Sequence, residues 1–281
     1  MPYVYLRDRY VAEEEATVSI EERAFRFGDG IFETIGVYGG VPYQWELHML
    51  RIEAGLDAIR LPFNTSLLRP LCVDLLARNQ IEDGFLRINI SRGMGSRGYL
   101  PTEAAQKYPL LLIEAKPRTH APRDMIHLWL SNYRKIPAQC LPTHAKNSQG
   151  LNATLARMEA REHHCFEALQ LNLQDQLSEC SSSTLFWFKD GTLYTPSLYA
   201  GMLNGTTRLA ILRVSPFPVV EDLFPVDALQ AAEEVFVTNV AWQVRPVSAL
   251  EPTGFYWHRR RIADQLQHLL EEDIAQYVAS H

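Results

Sequence analysis

Lysine is scarce in this chain. Of 281 residues and 27 basic side chains, only five are lysine: Lys107, Lys116, Lys135, Lys146 and Lys189. Any chemistry that needs a primary amine therefore has five candidates. Cysteine is sparse too. Cys72, Cys140, Cys165 and Cys180 stand far apart with no CxxC, which excludes a disulfide framework or a zinc site and fits a reducing cytoplasm. No run approaches the roughly 18–20 apolar residues of a membrane-spanning helix. The opening MPYVYLRDRYVAEEE lacks a basic flank followed by an apolar stretch, so no secretory signal is expected. A net charge of -6 and a pI near 5.9 argue against a nucleic-acid partner. The nine histidines form no HxH or HExxH, so no metal site is expected. A GxSxG elbow, a Rossmann fingerprint and a P-loop are all missing.

What is present is 47% apolar and 21% charged, the balance of a chain with a proper core. At about 100–200 residues per domain, the length favours two. VYLRD and IFETIGVY read as strands, the second followed by a Gly39-Gly40 turn. Leu47, Leu50, Ala54, Leu56 and Ile59 recur at helical spacing between Trp45 and Arg60, and a second helix is expected over Leu67–Arg78. FLRINISRG and YPLLLIEAKP read as strands around a long polar loop. KPRTHAPRD, with two prolines, is the linker candidate at 118–124, between domains at 1–117 and 125–281. Beyond it, MIHLWLS, ALQLNLQ, STLFWFKDGTLYTP and EEVFVTNV read as strands. Lys189-Asp190-Gly191 makes a hairpin turn, and helices are expected near Leu151–His163, Thr206–Val214 and Arg261–Val278. The expected class is α/β or α+β, in two halves.

Individual residues carry weak signals. A lysine that forms a Schiff base must be available unprotonated, which burial among apolar or cationic neighbours favours. Lys146 lies in PTHAKNSQGLNATL, between a loop and a helix start. GMLNGTTR precedes a helical run, and a helix N-terminus with hydroxyls beside it suits a phosphate; the plainer reading is an N-cap at Thr206 or Thr207. Glu179 adjoins three serines, and Arg51 lies on the first long helix. Arg87, Arg92 and Arg97 form a cluster suited to carboxylate recognition.

Together these pieces fall in a recognisable order. The chain resembles the fold-type IV pyridoxal-phosphate enzymes, which include branched-chain and D-amino-acid aminotransferases and 4-amino-4-deoxychorismate lyases. The resemblance is carried by RAFRFGDGIFET, LHMLR, SRGMGSRGY, Lys146, Glu179 with LFWFKDGTLYTP, GTTR and EEVFVTNVAWQVRPV. It implies a smaller N-terminal α/β domain, a larger C-terminal domain, pyridoxal 5'-phosphate between them, and a homodimer. It also implies that Lys146 holds the cofactor as an imine and later moves protons at the substrate carbon. Glu179 would pair with the pyridinium nitrogen and Leu203 would pack under the ring. Arg51, the Gly205-Thr206-Thr207 turn and Thr238 would hold the phosphate. One position departs from the branched-chain pattern: Leu151 stands where those enzymes have a tyrosine, five residues after the lysine.

Among the family's reactions, the resemblance favours the lyase, which eliminates pyruvate to give 4-aminobenzoate. Arg97 and Tyr99 would meet a substrate carboxylate, and Phe32 and Asn239 would line the substrate pocket. The alternative is an aminotransferase acting on D-amino acids or, less favoured, on branched-chain L-amino acids. Gly36 stands where many relatives have a larger side chain, which would widen the pocket.

Overall fold

Period-two alternation along β3 (Gly30–Tyr38) turns Ile31, Glu33, Ile35 and Val37 to one face, and all four are buried. This strand organises the first of two units in a computed structural model of the protein, which describes residues 1–95, 97–102, 108–119 and 123–281. One unit comprises Met1–Thr119, His144–Gln149 and Tyr277–His281; the other comprises His120–Thr143 and Gly150–Gln276. Lys107 and residues 120–122 of the expected linker lie outside the described residues.

The first unit is built on an antiparallel sheet of six strands in the order β2-β1-β6-β5-β3-β4. These are β1 (Tyr3–Leu6), β2 (Arg9–Ala12), β3, β4 (Val41–Pro42), β5 (Gly84–Ser91) and β6 (Leu110–Pro117). A short helix α1 (Arg23–Phe27) precedes β3, and α2 (Trp45–Ala58) and α3 (Leu68–Arg78) pack on the sheet. Ile35, Ile52, Leu68, Leu75, Leu86, Ile88 and Ile113 form the centre of the core. Gly39 and Gly40, both at positive φ, make the β3–β4 turn as expected.

Helix α2 forms where the sequence predicts it, but on a different face. The buried stripe is Trp45, His48, Ile52, Gly55 and Leu56, while Leu50 is 62% exposed. Two features of β3 select this face. A Cβ on Gly55 would stand 3.3 Å from Ile31, so the glycine permits close helix–sheet approach. Buried Glu33 needs polar partners, which His48 and Arg51 supply. The room expected at Gly36 is also filled: a Cβ there would meet the Tyr38 ring at 3.0 Å and Arg118 at 3.4 Å.

The second unit holds a mixed nine-stranded sheet in the order β12-β11-β10-β13-β14-β7-β8-β9, with β15 (Phe255–Tyr256) paired to β14. Its strands are β7 (Ile126–Leu130), β8 (Glu167–Leu171), β9 (Leu177–Cys180), β10 (Thr184–Lys189), β11 (Thr192–Pro196), β12 (Val219–Asp222), β13 (Glu234–Asn239) and β14 (Gln243–Glu251). The helices are α4 (Leu151–Glu162), α5 (Thr206–Val214) and α6 (Arg261–Ala279), the last of which belongs to this unit as far as Gln276. Leu169, Leu185, Trp187, Val237 and Val247 lie at the centre of its core. Among the described residues, no helix is long and apolar enough to cross a membrane.

Candidate cofactor and active-site residues

Lys146 is stitched to β3 by main-chain hydrogen bonds. Phe32 N–H donates to the Lys146 carbonyl at 2.8 Å, Ser148 N–H donates to the Gly30 carbonyl at 2.9 Å, and Ile31 bridges Asn147. Gly28 makes this approach possible. It ends α1 at φ 66, and a Cβ there would lie 2.6 Å from the Gln149 side chain. The Lys146 ammonium nitrogen stands 4.6 Å from the centre of the Phe32 ring, which also receives the Arg87 guanidinium at 4.3 Å. Phe32 thus helps fix where the lysine points.

On the opposite face of β3, Arg51 grips Glu33 with a two-pronged ion pair: Nε to Oε2 at 2.7 Å and Nη2 to Oε1 at 2.6 Å. His48 Nδ1 lies 3.3 Å from Oε1, and Glu33 and His48 are each 1% exposed. Burial pushes the Glu33 carboxyl up, but the charges of Arg51 and His48 outweigh it and hold the group well below the usual range. Burial lowers His48 from its ordinary 6.5; Glu33 opposes this in part, while Arg51 and Lys146 add to it.

Of the three arginines expected to form a carboxylate-binding cluster, Arg92 is committed elsewhere. It bonds Asp29 and the carbonyls of Ile59 and Arg60, and it is buried. Asp29 also receives Arg23 Nε at 2.7 Å, and burial's upward push on its carboxyl is overcome by both guanidiniums. Arg23, 2% exposed, donates onward to the carbonyls of Gly98 (2.9 Å) and Tyr99 (2.7 Å). The Tyr99 ring rests 5.4 Å from Phe27. Arg97 and Tyr99 are therefore exposed side chains on a backbone held from beneath by RAFRFGDG. Sequence reasoning singles out that motif but gives Arg23 and Asp29 no role. The signal present there is a basic and an acidic residue flanking a glycine-ended turn.

In the second unit, Glu179 sits on β9 and its Oε1 pairs with Lys135 Nζ at 2.5 Å. The three serines beside it do not make a solvated turn. Ser181, Ser182 (2.6 Å) and Ser183 (3.4 Å) all direct hydroxyls at Glu167, a fully buried carboxylate that Arg157 approaches at 3.0 Å. Lys135 and Glu167 are functional or structural partners that sequence reasoning misses, since nothing local marks contacts so distant along the chain.

Helix α5 is capped by Gly205 in extended conformation, so the cap position itself supplies no side chain to its first N–H groups. Thr206 and Thr207 are buried residues of the first turn, so neither is the N-cap. A Cβ on Gly205 would stand 3.2 Å from Thr184 Oγ1, and Thr184 is the cross-strand partner of Thr238. Thr238 Oγ1 is buried with no hydrogen-bond partner among the described residues. Helix N–H groups, two threonines at the helix start and an orphaned hydroxyl form a donor set that fits a phosphate. Leu203 is half-buried two residues before the cap. Asn239 closes its own turn: its side-chain oxygen accepts from Ala241 and Trp242 N–H, and its amide donates to the Ser182 carbonyl at 3.0 Å. Leu151 is 67% exposed at the first residue of α4.

Residues 30–250 match the sequence model of the amino-transferase class IV family. The D-alanine aminotransferase of Staphylococcus aureus is 30% identical over 287 residues, spanning 100% of this chain and 99% of the relative. The structure of 4-amino-4-deoxychorismate lyase from Pseudomonas aeruginosa superposes with a TM-score of 0.83 at 27% identity, covering 96% of this chain and 99% of that one. The branched-chain amino acid aminotransferase from Escherichia coli gives 0.87 at 26% identity, covering 95% and 92%. The chain belongs to the class IV aminotransferase family and has its fold-type IV architecture. The family's cofactor is pyridoxal phosphate, and the donor set around α5 suits its phosphate.

Proposed function

We propose that this chain is a pyridoxal-phosphate-dependent 4-amino-4-deoxychorismate lyase, acting in the cytoplasm as a homodimer. The observation that carries the reading is the end of the SRGMGSRGY segment, where Arg23 holds the Gly98 and Tyr99 carbonyls and Arg97 and Tyr99 present exposed side chains. An arginine there suits a substrate bearing two carboxylates. The likeness to the Pseudomonas aeruginosa lyase over nearly the full length of both chains supports it.

In this reading, Gly205, Thr206, Thr207 and Thr238 would hold the cofactor phosphate together with Arg51, which would keep its pair with Glu33. Glu179 would meet the ring nitrogen in exchange for its contact with Lys135, and Leu203 would pack on the ring. Bound pyridoxal phosphate supplies an electron sink for the pair left when the substrate carbon loses a proton. Lys146 would hold the cofactor through Nζ until a substrate amine takes its place. It then takes the proton from the ring carbon that bears that amine. Loss of the enolpyruvyl group from the neighbouring carbon, with a proton returned to it, yields pyruvate and leaves the ring aromatic as 4-aminobenzoate. Phe32 holds the lysine in place for this transfer. Arg97, Tyr99, Phe32 and Asn239 contact the substrate. Asn239 would do so through its main chain or after leaving its turn, because its side chain is engaged.

A second reading is favoured by the 30% identity to a D-alanine aminotransferase over the whole chain. In that case Lys146 would carry a proton from a D-amino acid and a 2-oxo acid would complete the cycle. Purified holoenzyme offered aminodeoxychorismate, D-alanine with 2-oxoglutarate, and L-leucine with 2-oxoglutarate in parallel decides between them. Release of 4-aminobenzoate with pyruvate is expected; oxo-acid exchange alone would overturn the lyase. Loss of a borohydride-sensitive absorbance band in Lys146→Ala tests the anchor.

A further inference from the structure

The second unit contains a cavity of about 550 Å³ that none of the residues assigned to cofactor or substrate lines. One wall is the outward face of α4, where Thr154, Arg157, Met158 and Arg161 recur at helical spacing. The other walls are Phe166 and the Ser181-Ser182 turn. We infer that this groove is a second ligand site, built for a small aromatic carboxylate.

Charge and shape both lead to that occupant. Arg157 is already compensated, because it lies 3.0 Å from buried Glu167 and stacks 4.8 Å from the Phe166 ring centre. Arg161 is exposed at the groove and has no ion pair among the described residues. It is the one guanidinium of this wall left to take a carboxylate. The remaining surface is mainly apolar. Met158 is 43% and Phe166 38% exposed. The Phe166 ring already meets Arg157, Arg245 and Trp242, so its exposed part serves as an apolar wall and the Met158 thioether is the contact left for a flat aromatic body. A cavity of this size lies within the usual range for small-molecule sites, about 300–1,000 Å³. An apolar anion satisfies every wall, whereas inorganic phosphate would leave the Met158 and Phe166 surfaces wet. A neutral aromatic would leave Arg161 unanswered.

The site stands apart from the reaction proposed above and is tested without turnover. Holoenzyme labelled at the methionine methyl groups is titrated with benzoate, benzamide and inorganic phosphate while carbon-13 spectra are recorded. Six methyl signals arise from the six methionines, and Met158→Leu assigns one of them. Benzoate is expected to move the Met158 signal saturably, benzamide and phosphate much less. Arg161→Gln should weaken benzoate by about fivefold, the scale of one exposed charge pair, with turnover unchanged. Arg97→Ala should leave the Met158 titration as it was, separating this groove from the substrate carboxylate site. Met158→Glu, followed by calorimetry, should abolish it. Four results would each overturn the site: a silent Met158 signal, equal response to benzamide, an equal shift with phosphate (an adventitious anion only), or indifference to Arg161→Gln. A Met158 signal that moves with protein concentration alone would assign the face to a second copy of the chain instead.

Discussion

Glu33 and Arg51 form a two-pronged ion pair inside the first unit, with the carboxylate 1% exposed and His48 at its side. Both groups have left water, so the pair contributes little net stability, but either partner alone is a buried uncompensated charge. Arg51→Leu should therefore lower the cofactor-free protein's unfolding free energy by about 3–5 kcal/mol in urea. Glu33→Leu with Arg51→Leu should cost less than the sum of the single changes. Additive costs would mean the two side chains do not depend on one another.

Acid should destabilise the same cluster in two stages. His48 is held below its ordinary 6.5 and Glu33 below its ordinary 4.5. For both, the unfolded chain binds the proton more readily than the folded one, so stability rises with pH across each window. The His48 contribution is fully present above 6.5 and is lost as pH falls from there. The Glu33 contribution is lost below 4.5. Urea midpoints at pH 7.5, 6, 5 and 4 should decrease throughout, and His48→Asn should flatten the upper part. An unchanged midpoint between pH 7.5 and 5 in the wild type would contradict the assignment for His48.

Most elements of both sheets are legible in the sequence because their signals are local. IFETIGVY alternates and ends in Gly-Gly; STLFWFKDGTLYTP carries its turn at Asp190-Gly191, both at positive φ. Strand β14 is not legible as a strand. Pro246 lies in its middle, which ordinarily argues against a central position, yet β14 pairs with β13 and β7 and carries an irregularity between Val247 and Ala249. The face of α2 is also misread from sequence, because its apolar spacing fits two stripes. The deciding facts are Glu33 in the core and the Ile31–Gly55 approach, both set by another element.

The candidate residues are legible by order along the chain, while their contacts are not. Spacing alone cannot say that three serines serve Glu167 rather than Glu179, since Glu167 lies on a different strand. Nor can it say that Arg92 is a structural clamp while Arg97, five residues on, is exposed.

Thr238 offers a test in which stability and cofactor affinity move apart. Its hydroxyl is buried without a partner among the described residues, so Thr238→Val should leave the cofactor-free protein as stable or slightly more so. If that hydroxyl donates to the phosphate, the same change removes a hydrogen bond to a charged group, worth about 1.5–3 kcal/mol. Pyridoxal phosphate should then bind about 10- to 150-fold more weakly in an equilibrium titration. A stability loss without an affinity loss would make Thr238 a packing residue.

Arg97 and Arg23 share one segment but should fail in different ways. Arg97 projects from a held backbone, so Arg97→Ala should raise KM for the carboxylate substrate while leaving cofactor affinity and thermal midpoint unchanged. Arg23 is buried and joins Asp29 to the Gly98 and Tyr99 carbonyls, so Arg23→Met leaves Asp29 leaning on Arg92 and frees the segment. That variant should lose about 1–3 kcal/mol of stability and also raise KM, because Arg97 is no longer positioned. Steady-state kinetics beside thermal melts of both variants make the comparison. Should Arg97→Ala lower the melting midpoint as much as Arg23→Met, Arg97 is structural and the carboxylate is held elsewhere.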